Sequence, residues 1–311
     1  MRKKWTLWLW MMLGALRAAG QQDPMYSQYM FNHLSLNPAY AGKDGYLSSA
    51  LLFRQQWTGI KGAPTTQNLA LHGPSANDRH GFGLSLYNDR IGVSNNSSVG
   101  LSYAFRIHLG QHARLALGLS GALTNYRADF GGVRTGSDIH PGQPDDPSFT
   151  GRRINLWLPN AGTGLFFHTR RFYLGASAPR LLEQSLAPQG AASTAKQFRH
   201  YFFTTGIMLG DEQAAVKFRP SILAKYQPAS GLQFDLNAHV LFIDRFWVGA
   251  SYRTEDALVF MAEWNVMQWL RIGYAYDYAR SSLRTYTSGS HEFMLGVDLN
   301  FKKAMVSPRY F

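Results

Sequence analysis

From residue 46 onward, apolar and polar residues alternate with period two, the pattern of strands that keep one face in an apolar medium. Leu232, Phe234, Leu236, Ala238, Val240 and Phe242 share one face, and Gln233, Asp235, Asn237 and His239 the other. Val216, Phe218, Ile222 and Tyr226 oppose Lys217, Arg219, Ser221 and Lys225 in the same way. Leu270, Ile272, Tyr274, Tyr276 and Tyr278 oppose Arg271, Gly273, Ala275 and Asp277. Phe293, Leu295, Val297, Leu299 and Phe301 oppose Glu292, Gly296, Asp298 and Asn300. About fourteen such segments can be marked, centred near residues 50, 69, 84, 102, 119, 163, 174, 205, 220, 237, 249, 261, 274 and 297. Pro220 interrupts one of them and predicts a bulge or kink, because proline has no N–H to give the ladder.

Alternation alone fits a soluble sandwich with its apolar face inward or a membrane barrel with that face toward lipid. Three features favour the barrel. Several segments reach about 10 residues, the length of a tilted membrane strand. Aromatic residues gather near segment ends, at Phe166-Phe167, Phe172-Tyr173, Tyr201-Phe202-Phe203, Trp264 and Trp269, where interfacial girdles belong. The connections alternate in length. His168-Thr169-Arg170, Gly210 to Gln213, Ile243-Asp244-Arg245 and Val266-Met267-Gln268 are short, whereas 129–153, 179–199 and 280–290 are long. The connections near Pro228 and Glu255 fall on the long side yet are brief. Short periplasmic turns and longer outer loops characterise bacterial outer-membrane barrels, and an even strand number puts both chain ends in the periplasm.

The N-terminus reads as a secretory signal over residues 1–20. Arg2-Lys3-Lys4 lead an apolar stretch from Trp5 to Leu16, and Ala18-Ala19-Gly20 precede a cut before Gln21. Composition agrees with export to a membrane: 45% hydrophobic, 14% aromatic and only 16% charged, against about 25% charged in a soluble domain. The net charge of +12 falls to +8 without the signal, whose four basic residues leave 27 against 19 acids. The remaining Lys and Arg are scattered singly among apolar residues, which argues against a nucleic-acid surface. With no cysteine, thiolate chemistry and disulfides are excluded.

Candidate chemistry is sparse. Gly118-Leu119-Ser120-Gly121-Ala122 resembles a nucleophile elbow, but an elbow needs a strand-to-helix turn and this Ser lies mid-strand. Gly-x-Ser recurs at Gly83, Gly100, Gly175 and Gly249, which reads as small residues lining a wall. Gly162-Thr163-Gly164 lacks the helix a phosphate cradle requires. His108 and His112 have helical metal-site spacing, yet Leu109-Gly110-Gln111 reads as a hairpin turn. Asp138, Asp145 and Asp146 lack the spacing of a calcium loop. Lys217, Arg219, Lys225 and Arg271 face inward with Asp235, Asp277 and Glu292, as interior ion pairs or as an anion-attracting pore. No catalytic residue, cofactor site or metal site is expected.

Two motif blocks and the chain end carry a family resemblance. The first block runs Asp23-Pro24-Met25-Tyr26-Ser27-Gln28-Tyr29-Met30-Phe31-Asn32, then Leu36-Asn37-Pro38-Ala39-Tyr40-Ala41-Gly42. The second runs Arg54-Gln55-Gln56-Trp57, then Ala63-Pro64-Thr65-Thr66 and His72. His291-Glu292-Phe293 leads the last strand, and Ser307-Pro308-Arg309-Tyr310-Phe311 closes the chain. Together they resemble the PorP/SprF family of Bacteroidota outer-membrane proteins, associated with type IX secretion and gliding motility.

That resemblance implies an integral outer-membrane barrel without enzymatic activity. Its implied partners are secretion components of the periplasmic ring, or a secreted surface adhesin held through its C-terminal sorting domain; no nucleic acid is implied. The domain reading is a signal peptide at 1–20, an N-terminal periplasmic or plug segment at 21–45, an all-β transmembrane antiparallel barrel at 46–301, and a tail at 302–311. Within the N-terminal segment, Tyr26, Tyr29, Phe31 and Tyr40 are expected to anchor it in the barrel mouth, with Gln28, Asn32 and Asn37 as hydrogen-bonding groups. Asp23, Pro24, Pro38, Gly42, Arg54, Trp57, Pro308, Arg309, Tyr310 and Phe311 complete the candidate partner-binding or structural set. The alternative reading is a passive porin.

Overall fold

A computed structural model describes residues 25–131, 153–186 and 196–300. The expected signal peptide at 1–20, Asp23, Pro24, the loop acids Asp138, Asp145 and Asp146, Phe301 and the closing Pro308–Phe311 motif lie outside the described residues.

Fourteen strands close into one antiparallel barrel. They are β1 (Leu47–Gln55), β2 (Thr65–Pro74), β3 (His80–Ile91), β4 (Ser94–Leu109), β5 (Ala113–Asp129), β6 (Arg153–His168) and β7 (Phe172–Arg180). A two-residue pair, β8 (Gln184–Ser185) and β9 (Lys196–Gln197), stands apart from the barrel. Then come β10 (His200–Ile207), β11 (Val216–Gln227), β12 (Gly231–Phe242), β13 (Phe246–Arg253), β14 (Ala257–Met267), β15 (Leu270–Ala279) and β16 (Ser290–Leu299). Each predicted centre falls inside a barrel strand. β1 and β16 form the closing seam, in register from Leu47↔Leu299 to Gln55↔His291.

The faces are inverted relative to a soluble protein. Leu51, Phe53, Leu101, Leu119, Phe234, Leu236, Phe260 and Phe293 are exposed on the outside. Arg54, Arg106, Lys217, Arg219, Arg253, Asp277 and Glu292 are buried on the inside. A continuous exposed apolar exterior around a charged interior requires lipid as the outer medium. Leu47 and Leu299 lie at the end joined by the short connections 110–112, 169–171, 243–245 and 268–269. In outer-membrane barrels that end faces the periplasm.

Two expectations are corrected. Pro220 makes no bulge: β11 and β12 stay in unbroken register through Pro220↔Ala238. The missing donor instead coincides with a gap on the β10 side, where pairing stops at Gly206↔Ser221 and resumes as the single bridge Leu209↔Phe218. The aromatic clusters are split by the pleat. Phe203, Trp264 and Trp269 are exposed, whereas Phe166, Tyr173 and Phe202 are buried within the barrel. Adjacent residues of a strand point to opposite faces, so a double aromatic cannot serve the girdle with both rings.

Candidate functional site: the lumen plug

Residues 25–42 lie inside the lumen, leaving a cavity between Leu34 to Pro38 and the wall residues Asn68, Tyr87, Asn160 and Arg180. Fourteen strands enclose more space than their own side chains can fill, and this segment occupies it. Tyr26, Ser27, Gln28, Tyr29, Met30, Asn32, His33, Leu34, Leu36, Asn37, Ala39, Tyr40 and Ala41 are all buried, although none belongs to a strand. The backbone makes three single 3₁₀ turns, Tyr29–Phe31, His33–Ser35 and Pro38–Tyr40. Asn37 caps the last of these: its side chain accepts from Ala39 N at 2.9 Å, and Pro38 follows at the first helical position.

The segment runs from the outer half of the lumen down to the periplasmic end. At its start, the backbone N–H groups of Ser27 and Gln28 each donate to Glu292, one to each carboxylate oxygen, at 2.8 Å. Ser27 Oγ donates to Asp277 at 2.7 Å and accepts from Arg54 at 2.9 Å. Arg54, Asp277 and Glu292 stand at the outer ends of β1, β15 and β16. At the other end, Gly42 N donates to His72 Nδ1 at 3.2 Å, low on β2.

The charges around Ser27 form a lattice. Arg54 binds Asp277 at 2.7 Å and Glu292 at 3.2 Å. Arg253 binds Asp235 at 3.2 Å and reaches Asp277 at 3.6 Å. Isolated charges at this depth would be costly, so each is held by partners of opposite sign. Of the expected inward groups, Lys217, Arg271, Asp235, Asp277 and Glu292 form ion pairs, each with a partner outside that set. Arg271 binds Asp298 at 3.0 Å and Glu263 at 3.6 Å, and Lys217 binds Asp244 at 2.7 Å. Arg253, absent from the expected set, was concealed by its position at the last residue of a strand.

Further down, plug side chains meet the wall one by one. Asn237 donates to the Tyr29 hydroxyl at 2.7 Å, and Asn32 donates to Asn68 at 2.9 Å. Asn37 Nδ2 donates to the Leu165 carbonyl at 2.8 Å, and Ser177 Oγ donates to the Leu36 carbonyl at 2.7 Å. Phe31 lies edge-on to Trp247, ring centres 6.0 Å apart. The Arg219 guanidinium lies 4.3 Å from the Trp247 ring and 5.2 Å from that of Phe31. Tyr40 packs among His33, Phe166 and His72. Trp57 sits apart, in the outer connection after β1, where its backbone N–H donates to Ser290 Oγ at 3.1 Å.

Some wall glycines face this segment, whereas a Cβ on Gly100 or Gly249 would meet Ser85 or His239 of the wall itself. A Cβ on Gly118 would collide with the backbone of Pro38 and Ala39, and one on Gly164 with the Asn37 side chain. Gly273 stands against Gln28 in the same way. Gly118-Leu119-Ser120 continues straight through β5, with none of the turn a nucleophile elbow needs. His108 and His112 flank the β4–β5 turn.

The sequence matches the family model for type IX secretion system membrane proteins PorP/SprF over residues 18–297. The chain belongs to the PorP/SprF family. The match spans both the plug and the barrel, and with the lipid-facing exterior it makes this PorP/SprF protein an integral outer-membrane component of type IX secretion. Among solved structures, the fold is similar to Omp33 of Acinetobacter baumannii, at 7% identity and TM-score 0.47 over 82% of this chain and 99% of that one. A FadL homologue of Pseudomonas aeruginosa gives 13% identity and TM-score 0.44 over 82% and 89%. The monoaromatic hydrocarbon channel CymD gives 12% identity and TM-score 0.44 over 92% and 95%. A comparison with curated proteins gave no match.

Proposed function

We propose that this PorP/SprF protein is a closed scaffold that holds a secreted surface protein at the outer membrane, and neither a diffusion pore nor an enzyme. The observation that carries the reading is the plug. Its polar and aromatic groups are consumed by contacts to the wall from Ser27 to Gly42, which is a costly arrangement for a channel and a natural one for a rigid platform. With the lumen occupied, the partner contacts the rims: the outer connections, including the one that carries Trp57, or the periplasmic turns. The partner class suggested by the family is an adhesin with a C-terminal sorting domain, joined to or replaced by components of the periplasmic secretion ring.

Affinity capture from solubilised outer membranes tests this. Recovery of a sorting-domain protein or a ring component is expected. Recovery of the barrel with neither sinks the proposal, and a large steady conductance of the intact barrel in planar bilayers would favour the porin instead.

A further inference from the structure

The outer wall is not uniform around the barrel. β4, β5 and β6 are the longest strands and rise above the apolar belt. On β4 the outward apolar residues run Val99, Leu101, Tyr103, Phe105, Ile107 and Leu109. Ten steps of roughly 3.4 Å, tilted by about 40°, span about 26 Å along the membrane normal, close to the apolar band of such barrels. The register places Leu86, Val99, Leu123 and Pro159 in the top row of that belt on β3 to β6. The next row up is Asn88, Ser97, Asn125 and Trp157, and the one above it Arg90, Asn95, Arg127 and Asn155.

These two rows are joined sideways by hydrogen bonds, Ser97 to Asn88 at 2.8 Å and Asn125 to Asn155 at 2.7 Å, with Arg127 donating to Asn125. Trp157 is 64% exposed at the same height. Arg90 and Arg127 are exposed, and neither forms an ion pair among the described residues. They stand two strand spacings apart, about 10 Å. One row higher, Arg153 is offset by Asp129 at 3.2 Å. The opposite arc is built differently. Tyr252, Tyr274, Tyr276 and Tyr278 face outward there, and the cations near them, Arg280 and Arg284, lie over the rings of Tyr252 and Tyr278 at 5.5 and 5.1 Å.

We infer that the outward face of β3 to β6 above the apolar belt is a binding surface for the phosphorylated headgroup of an outer-leaflet glycolipid. The height is that of the headgroup layer, because the rows begin where the apolar belt ends. Arg90 and Arg127 supply guanidinium groups suited to phosphate oxygens. The amide and hydroxyl groups of Asn95 and Asn155 beside them and of Asn88 and Ser97 one row below match sugar hydroxyls, and Trp157 offers an amphipathic ring at the interface. The inference does not depend on the scaffold reading, since it concerns a surface that faces the membrane rather than a secreted partner.

Native mass spectrometry of the full-length barrel tests it, with bis-phosphorylated lipid A and dephosphorylated lipid A as probes. Wild type is expected to retain the phosphorylated form, and the double variant Arg90→Gln/Arg127→Gln to bind it at least ten-fold more weakly. Both side chains point outward, so the variant should keep the wild-type heat-modified gel migration. Arg280→Gln/Arg284→Gln should bind as wild type does. Equal retention by wild type and the Arg90/Arg127 variant overturns the proposal, as does equal binding of the two lipids. Binding of polyglutamate in preference to lipid A also overturns it, by assigning the patch to an acidic protein.

Discussion

Arg54 and Glu292 sit directly opposite each other on the first and last barrel strands, joined by a 3.2 Å ion pair across the seam. The same Glu292 carboxylate receives the backbone N–H groups of Ser27 and Gln28. Closure of the barrel and docking of the plug therefore share one acceptor. Glu292→Ala would leave Arg54 facing a single acid and strand two buried N–H donors. Removing one member of such a buried pair costs about 3–5 kcal/mol. Heat-modified migration on gels should shift to the unfolded form at a clearly lower temperature. Arg54→Ala/Glu292→Ala should lose less than the sum of the single changes, because neither charge is left alone. Strict additivity would contradict the pairing.

Deleting residues 25–40 while keeping residues 1–24 should convert a closed barrel into a conducting one. The lumen would lose its filling, and Asp235, Asp277 and Glu292 would line it with Arg54 and Arg253. Single-channel recording in planar bilayers is the measurement. An unchanged, near-zero conductance would mean that the plug does not seal the barrel.

Gly118→Val should displace the plug, although valine suits a strand better than glycine does. The added side chain meets the backbone of Pro38 and Ala39, which cannot swing aside as a flexible side chain would. The chain has no cysteine, so Ser35→Cys gives a single reporter thiol within the plug. Its maleimide labelling should be slow in the otherwise wild-type barrel and several-fold faster with Gly118→Val. Equal rates would place the clash elsewhere.

Phe31→Ala should loosen the middle of the plug. The ring fills the space between Trp247, His239 and Arg219. Truncating a buried phenylalanine costs about 3–5 kcal/mol, and the lower end applies here because Phe31 is only partly buried. Combining it with Arg219→Gln should show coupling of about 0.5–2 kcal/mol if the cation–ring contact contributes. Thermal unfolding of the four proteins gives the cycle.

Much of the barrel could be read from the chain because period-two alternation is a local signal, renewed at every strand from β1 to β16. The plug was legible as a block but not in its contacts. Tyr26, Tyr29, Phe31 and Tyr40 announce an aromatic segment without strand period. Nothing near Ser27, however, points to partners 250 and 265 residues away. The wall glycines were legible as small positions but not in what they accommodate: the backbone of Pro38 and Ala39 at Gly118, and the Asn37 side chain at Gly164. Pro220 was read correctly as a lost donor and incorrectly as a bulge, because the neighbouring strand β10 ends its ladder at the same height.

The direction of the plug sets an order of events. Its first residues rest near the outer rim and its last ones at the periplasmic end, so the leader doubles back through the space that the sheet goes on to enclose. A segment tied at one end to β1 and at the other to β16 has to be in place while the sheet is still open, or be drawn inward as the two edges meet. The last strand thus completes its contacts only with a chain whose beginning has already been positioned. A barrel assembled with a truncated or misplaced leader would carry that defect at its closing joint.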